Sequence, residues 1–252
     1  MTISLENVTL EVDGARVLKD VSLSISHGEF VALVGPNGAG KTSLMKCALG
    51  AATPTHGKAR IGDDAASTMD PITRARRIAY LPQSRPTAWP LIVEVIVALG
   101  RYAYGTPTDQ SKSDAVNAAI AACGLDHLRR RQADQLSGGE LARVHCARAF
   151  AAEAPFLFAD EPTNSLDPAG QLNVMTLIRA HVAGGAGALV ILHDVNLAAM
   201  FADRIVWMKQ GEIIADGSPQ ETLTAARMLD VFNVSATVAG AGGVLSVSYS
   251  AQ

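Results

Sequence analysis

The chain has 252 residues, of which 48% are hydrophobic, 18% charged and 5% aromatic, a composition that supports one large domain or two small ones and excludes a disordered or fibrous protein. Its 21 Lys and Arg against 24 Asp and Glu give a formal net charge of −3 and an isoelectric point near 6.1, so no overall attraction to nucleic acid is expected. Cys47, Cys123 and Cys146 are odd in number and lack CxxC spacing, so neither a disulfide framework nor a tetrahedral zinc site follows from them.

The amino terminus has no basic region followed by an apolar stretch, so no secretory signal is expected. The longest apolar runs, 91–100 and 186–192, fall short of the ~20 residues of a membrane span. Over the first thirty residues, apolar stretches at 3–10 and 17–25 alternate with turn residues Asp13-Gly14 and His27-Gly28, predicting antiparallel strands. Residues 30–34 form a continuous apolar run suited to a strand buried on both faces, followed by a Gly-rich turn and a helix ending at Gly50. Strand character returns at 58–61 and 77–81. The apolar spacing then lengthens, and 113–123 place Val116, Ala119, Ile120 and Cys123 on one helical face with Ser113 as cap. A small helical insert is therefore expected at about 86–135. Two further apolar strands, 155–159 and 188–192, are separated by a helical stretch near 169–182. Strands alternating with helices predict a parallel sheet whose ligands lie beyond the carboxyl ends of the strands.

Gly35-Pro36-Asn37-Gly38-Ala39-Gly40-Lys41-Thr42 matches the phosphate-binding pattern GxxxxGK[ST], and it stands where that pattern must, after a buried strand and before a helix. Glycines let successive backbone N–H groups turn toward the phosphates. Lys41 neutralises them, the helix start near Gly40 adds its positive end, and the Thr42 hydroxyl can ligate Mg²⁺; Ser43 completes the set. The apolar run 156–159 ends in Asp160-Glu161, which suits Asp160 for the metal shell and Glu161 for polarising an attacking water as general base; alone, such a pair could equally be a solvated strand end. Leu136-Ser137-Gly138-Gly139-Glu140, directly before a helical stretch, offers a hydroxyl, unhindered N–H groups and a helix N-terminus for a second phosphate contact. One monomer has no use for two grips on a γ-phosphate.

At this point the chain resembles the ABC-type ATPases, whose LSGGQ signature is similar to residues 136–140 with Glu140 in the last place, and the resemblance covers nearly its whole length. It implies a P-loop α/β fold with a mostly parallel core sheet, an N-terminal antiparallel β subdomain and the helical insert. It also implies two copies facing head to tail, each ATP lying between Lys41 of one and Ser137 of the other. Gln83 matches the glutamine loop that senses Mg²⁺ and the lytic water, Asp167 the loop coupling the two interfacial sites, and His193 the switch histidine at the γ-phosphate. Read by themselves, Asp167 could instead cap the helix beginning at Pro168 and His193 could be structural. The aromatic that stacks on adenine in the family aligns with Val12, and an aliphatic Leu with Ala159.

Arg77 to Gln83, Val93-Glu94-Val95-Ile96, Leu99-Gly100-Arg101, Asn164 to Asp167 and His193 to Leu197 look like the branch that imports iron chelates, haem and cobalamin. That likeness implies an ATP-hydrolysing homodimer at the cytoplasmic face of the inner membrane, integral permease subunits docked beside Gln83, a periplasmic or surface substrate-binding protein, and no nucleic acid. A soluble ABC ATPase of Fe–S cluster assembly or another non-transport machine is the alternative. The expected division is an ATPase domain over 1–226 and a small hairpin-like extension over 227–252, where strand character flanks Gly240 to Gly243.

Overall fold

In this computed structural model, residues 1–83, 91–105, 113–241 and 244–249 are described. The chain divides into two compact units, Met1–Met69 with Gly187–Gln252, and Asp70–Ala186.

The first unit opens with an antiparallel sheet in the order β2-β1-β4-β5, formed by β1 (Ile3–Val12), β2 (Ala15–Ile25), β4 (His56–Ile61) and β5 (Asp64–Ala65). Asp13 and Gly14 both take positive φ, 51° and 78°, and Val12 pairs with Ala15. This two-residue turn has the hand that matches strand twist, so Asp-Gly here sets the register. The unit's second sheet runs β10-β9-β3-β8, from β3 (Phe30–Val34), β8 (Gly187–Ile191), β9 (Arg204–Lys209) and β10 (Glu212–Gly217). β3 pairs in parallel with β8 and β9, and every residue of β3 and β8 is buried. A strand covered on both faces needs no polar alternation, which is why these runs are apolar throughout. Helix α1 (Lys41–Ala48) follows β3 and buries Leu44, Met45, Cys47 and Ala48.

The second unit holds the parallel pair β6 (Ile78–Leu81) and β7 (Phe156–Asp160). Among the described residues it is accompanied by helices α2 (Pro71–Arg77), α3 (Val93–Ala98), α4 (Asp114–Ala122), α5 (Gly138–Phe150) and α6 (Pro168–Ala183). In α6 the buried residues Gly170, Val174, Ile178 and Val182 recur every four positions, with Met175 beside them, a single apolar stripe. Ser113 caps α4 as expected, accepting from the Val116 N–H at 3.4 Å, and Val116, Ala119, Ile120 and Cys123 are buried together. The described residues of 86–135 hold α3, α4 and short 3-10 turns with an isolated antiparallel bridge between Ile92 and Gln132, and positions 84–90 and 106–112 lie outside the described residues. Tyr104, at the end of a 3-10 turn, has the guanidinium groups of Arg101 and Arg76 3.8 and 5.0 Å from its ring centre.

Back in the first unit, α7 (Val195–Phe201), α8 (Pro219–Thr222) and α9 (Ala225–Phe232) precede β11 (Ala236–Ala241) and β12 (Val244–Tyr249). These two strands form an antiparallel hairpin, with Val238 opposite Val247. Phe232 ends α9, where its ring meets Trp207 edge-on at 6.3 Å. Among the described residues no disulfide forms, all three cysteines are buried, and no helix is long and apolar enough to cross a membrane.

Candidate nucleotide site

The glycine-rich loop is built around two forced conformations. Gly35 has φ 155° and Gly40 φ 99°, and a Cβ on Gly35 would drive into the Met208 carbonyl while one on Gly40 would sit 2.9 Å from the Val17 carbonyl. Only residues without a side chain fit, so the loop lies flush against β2 and β9 and its concave side stays open. Lys41 is buried to 6% exposure, and its ammonium donates to the Gly35 and Pro36 carbonyls at 2.7 and 2.9 Å. A buried ammonium must be paired or hydrogen-bonded, and here the loop's own carbonyls hold it beside the positions a phosphate would fill. Gly40 heads α1 with no side-chain cap, and no acidic residue occupies the first turn. No side chain at this helix start competes with an external anion for its positive end. Thr42 is exposed at this end, Ser43 partly so, and Pro36, Asn37, Gly38 and Ala39 complete the turn. The loop is a cradle that a Cβ would destroy, with a helix N-terminus and one ammonium aimed into it, the complement of a polyphosphate.

In the second unit, β7 delivers the paired carboxylates. Asp160, the last residue of the strand, is 3% exposed, and its charge adds to burial in raising the Tyr80 phenol above its usual range. Glu161 follows with φ 48°, a left-handed conformation rare for a side chain of this size and concentrated at functional sites. The reversal takes Glu161 out of the buried strand, and its carboxylate accepts from the Gln83 amide at 2.5 Å. The structure therefore joins two residues 78 positions apart that the sequence connected only through the family pattern.

Ser137 caps α5 in a reciprocal box. Its hydroxyl accepts from the Glu140 N–H at 3.3 Å, while the Glu140 carboxylate accepts from the Ser137 N–H and hydroxyl, each at 2.8 Å. The backbone bond first, and the hydroxyl second, hold the Glu140 carboxyl below its usual range. An open cleft of about 630 Å³ brings Ser137, Gly138, Gly139 and Glu140 together with Leu166, Asp167 and Gly170. Asp167 caps α6, its carboxylate accepting from the Gly170 N–H at 2.7 Å, with Pro168 at the first helical position. Arg143 and Asn173 line the same cleft; no sequence pattern singled them out, because they reach it from the bodies of α5 and α6 rather than from a loop.

His193 stands in the first unit just past β8, exposed at the head of α7. Asp194 caps that helix, accepting from the N–H groups of Asn196 and Leu197 at 2.8 and 3.3 Å. Val12 closes β1 and is 47% exposed. The sequence could not single out Val17 and Met208, which back the phosphate loop, because only long-range folding places their carbonyls there.

Comparison with known proteins agrees with this geometry. Residues 18–164 match the family model described as ABC transporter. The hemin import ATP-binding protein HmuV of Rhodopseudomonas palustris is 40% identical over 242 residues, covering 92% of this chain and 88% of that protein. HmuV of Nocardia farcinica is 39% identical over 218 residues, covering 86% and 76%. Among solved structures, the dimeric post-hydrolysis state of the ATP-binding cassette MJ0796 bound to ADP and Pi superposes with a TM-score of 0.72 at 28% identity, covering 86% of this chain and 98% of that one. A phosphate cradle after a buried strand, a carboxylate pair after another and a serine-capped glycine turn belong together in one lineage, and this chain is a member of the ABC transporter family, an ATP-hydrolysing subunit of an importer.

Proposed function

We propose that two copies of this chain clamp two ATP molecules between them, and that closing and reopening of this clamp drives import of a haem-class iron compound through a membrane permease. The supporting observation is the signature turn. Gly138 and Gly139 do not need to be glycine for the fold, since a Cβ on Gly139 would meet nothing within 4 Å and one on Gly138 only a Leu166 methyl at 4.0 Å. Their bareness serves a contact that this chain does not make with itself, and a phosphate brought by a second copy fits an uncluttered helix start.

Within each site, Lys41 and the N–H groups of residues 35–42 bind the phosphates. The Thr42 hydroxyl and Asp160 carboxylate, hard oxygen donors, suit Mg²⁺, which on binding neutralises phosphate charge. Glu161 is the general base, taking the proton of the attacking water, and Gln83, hydrogen-bonded to it in this state, orients that water. His193 and the partner copy's serine turn share the charge that develops at the γ-phosphate, while Asp167 links the two sites across the interface. The insert carries Tyr102, 73% exposed, and Leu99, 39% exposed, apolar surface for a permease helix; the assembly belongs at the inner face of the membrane with a substrate-binding protein outside. Kinship to hemin import proteins at up to 40% identity supports the cargo.

The test uses Glu161→Gln. Turnover should fall about 10²–10⁴-fold, the usual contribution of a general base, while Mg·ATP binding persists and light scattering reports a dimer. A monomer under saturating Mg·ATP would overturn the clamp. Stimulation of ATPase activity by hemin rather than cobalamin, in the reconstituted complex, checks the cargo.

A further inference from the structure

The carboxyl-terminal hairpin packs on α7 and α9. The Asn196 side chain, in the first turn of α7, donates from its amide nitrogen to the Val247 carbonyl at 3.3 Å and accepts from the Val247 N–H at 2.6 Å through its amide oxygen. One side chain thus takes both backbone groups of a β12 residue, as a neighbouring strand would. The backbone N–H of the same Asn196 donates to Asp194, the cap of α7 and the residue next to His193. Tyr249, the last residue of β12, lines a small apolar cavity of about 330 Å³ with His193, Val195, Met228, Phe232 and Val234. Burial first, and the Asp194 charge second, raise its phenol above the usual range, which places it close to the same loop.

We propose that Asn196 is a positioning residue for His193, with the hairpin as the fixed body it holds to. The Asp194 cap and the buried Val195 and Leu197 hold the first turn of α7 within its own helix and core. The two Asn196–Val247 bonds tie it to the hairpin and so set where the histidine stands when a γ-phosphate arrives. This rests on the role given to His193 above. It also assigns work to a segment far in sequence from every nucleotide motif.

A double-mutant cycle on the full-length chain tests it, reading kcat and KM for Mg·ATP of the parent, Asn196→Ala, His193→Ala and the double variant. Because misplacing a catalytic group costs turnover rather than affinity, Asn196→Ala should lower kcat about tenfold with KM within about twofold. In the His193→Ala background the same change should cost less than about twofold. Equal losses in both backgrounds, or none in either, would overturn the positioning role while leaving His193 in place. Full activity of His193→Ala would remove the histidine's role and this inference with it. Asn196→Asp, which keeps the acceptor for the Val247 N–H but turns the donor into an oxygen facing the Val247 carbonyl, should also lower kcat with KM within about twofold; parental kcat in that variant counts against the proposal.

Discussion

The loop at residues 35–42 and the turn at residues 137–140 both place glycines before a helix, yet the glycines serve opposite ends. In the first, Gly35 and Gly40 adopt positive φ and leave no room for a Cβ against the Met208 and Val17 carbonyls, so the rest of the fold demands them. In the second, Gly138 and Gly139 have ordinary backbone angles and open space, so nothing inside the chain demands them. One cradle is made by tertiary packing. The other is made locally, by a serine cap and a glutamate three residues on, and left open on its outer side. The contrast teaches that a glycine's purpose is read from what its missing side chain would strike.

Alanine at Gly35 should break the molecule most severely. With a forced left-handed angle and a backbone carbonyl in the way, the cost is about 3 kcal/mol or more, read as a lower melting temperature together with lost ATP binding. Gly139→Ala sharpens the contrast from the other side. Its stability should stay level or rise by about 0.5–1 kcal/mol, since alanine is the better helix former, while ATP-driven dimerisation and turnover fall at least about tenfold. If Gly139→Ala instead lowered the melting temperature as Gly35→Ala does, the distinction would fail.

Acid probes the local cradle through Glu140. Because the Glu140 carboxyl is held below its ordinary value of 4.5, the ionised form is favoured in the folded chain. The stability it adds is complete above that value and drains away as pH falls through the lowered one. Glu140→Gln keeps the capping box but carries no titrating group, so its melting temperature should lack this fall as pH drops below 4.5, a comparison that calorimetry makes directly. The smallest expected effect lies on the other cradle's side. Val12→Tyr, at an exposed strand end, should add an adenine-stacking face and lower KM for ATP about two- to tenfold, the range of an aromatic contact worth roughly 0.5–1.5 kcal/mol; an unchanged KM would show that the base is held elsewhere.

Much of the chemistry was legible before folding because it is carried by short segments. The phosphate loop, the Asp160-Glu161 pair and the serine–glycine turn are each contiguous, and their residue types follow from what phosphate, metal and water require. The buried strands were visible for a related reason, since a strand covered on both faces must be apolar along its whole length. Helices α2 and α9 were not foreseen. The first is short, with no buried residue, and has only the Asp70 cap and Pro71 to mark it, while the second ends in Val231-Phe232 and runs directly into the strand-like residues that follow it. Ser137 and Asp167 each proved to be helix caps in the structure, a local duty that leaves their surfaces within the shared cleft.

By itself the sequence determined the fold class, the residues able to meet a polyphosphate and the free energy of burial that drives strands 30–34 and 156–160 inside, because periodicity and residue chemistry act over a few neighbouring positions. Only the tertiary structure decided that Gln83 meets Glu161, that Met208 and Val17 shape the lysine loop, and that Val247 holds the helix beside His193. Those pairs lie tens of residues to nearly two hundred apart in the chain, and a hydrogen bond or a steric wall leaves no mark on sequence until packing has brought its two halves within a few ångströms.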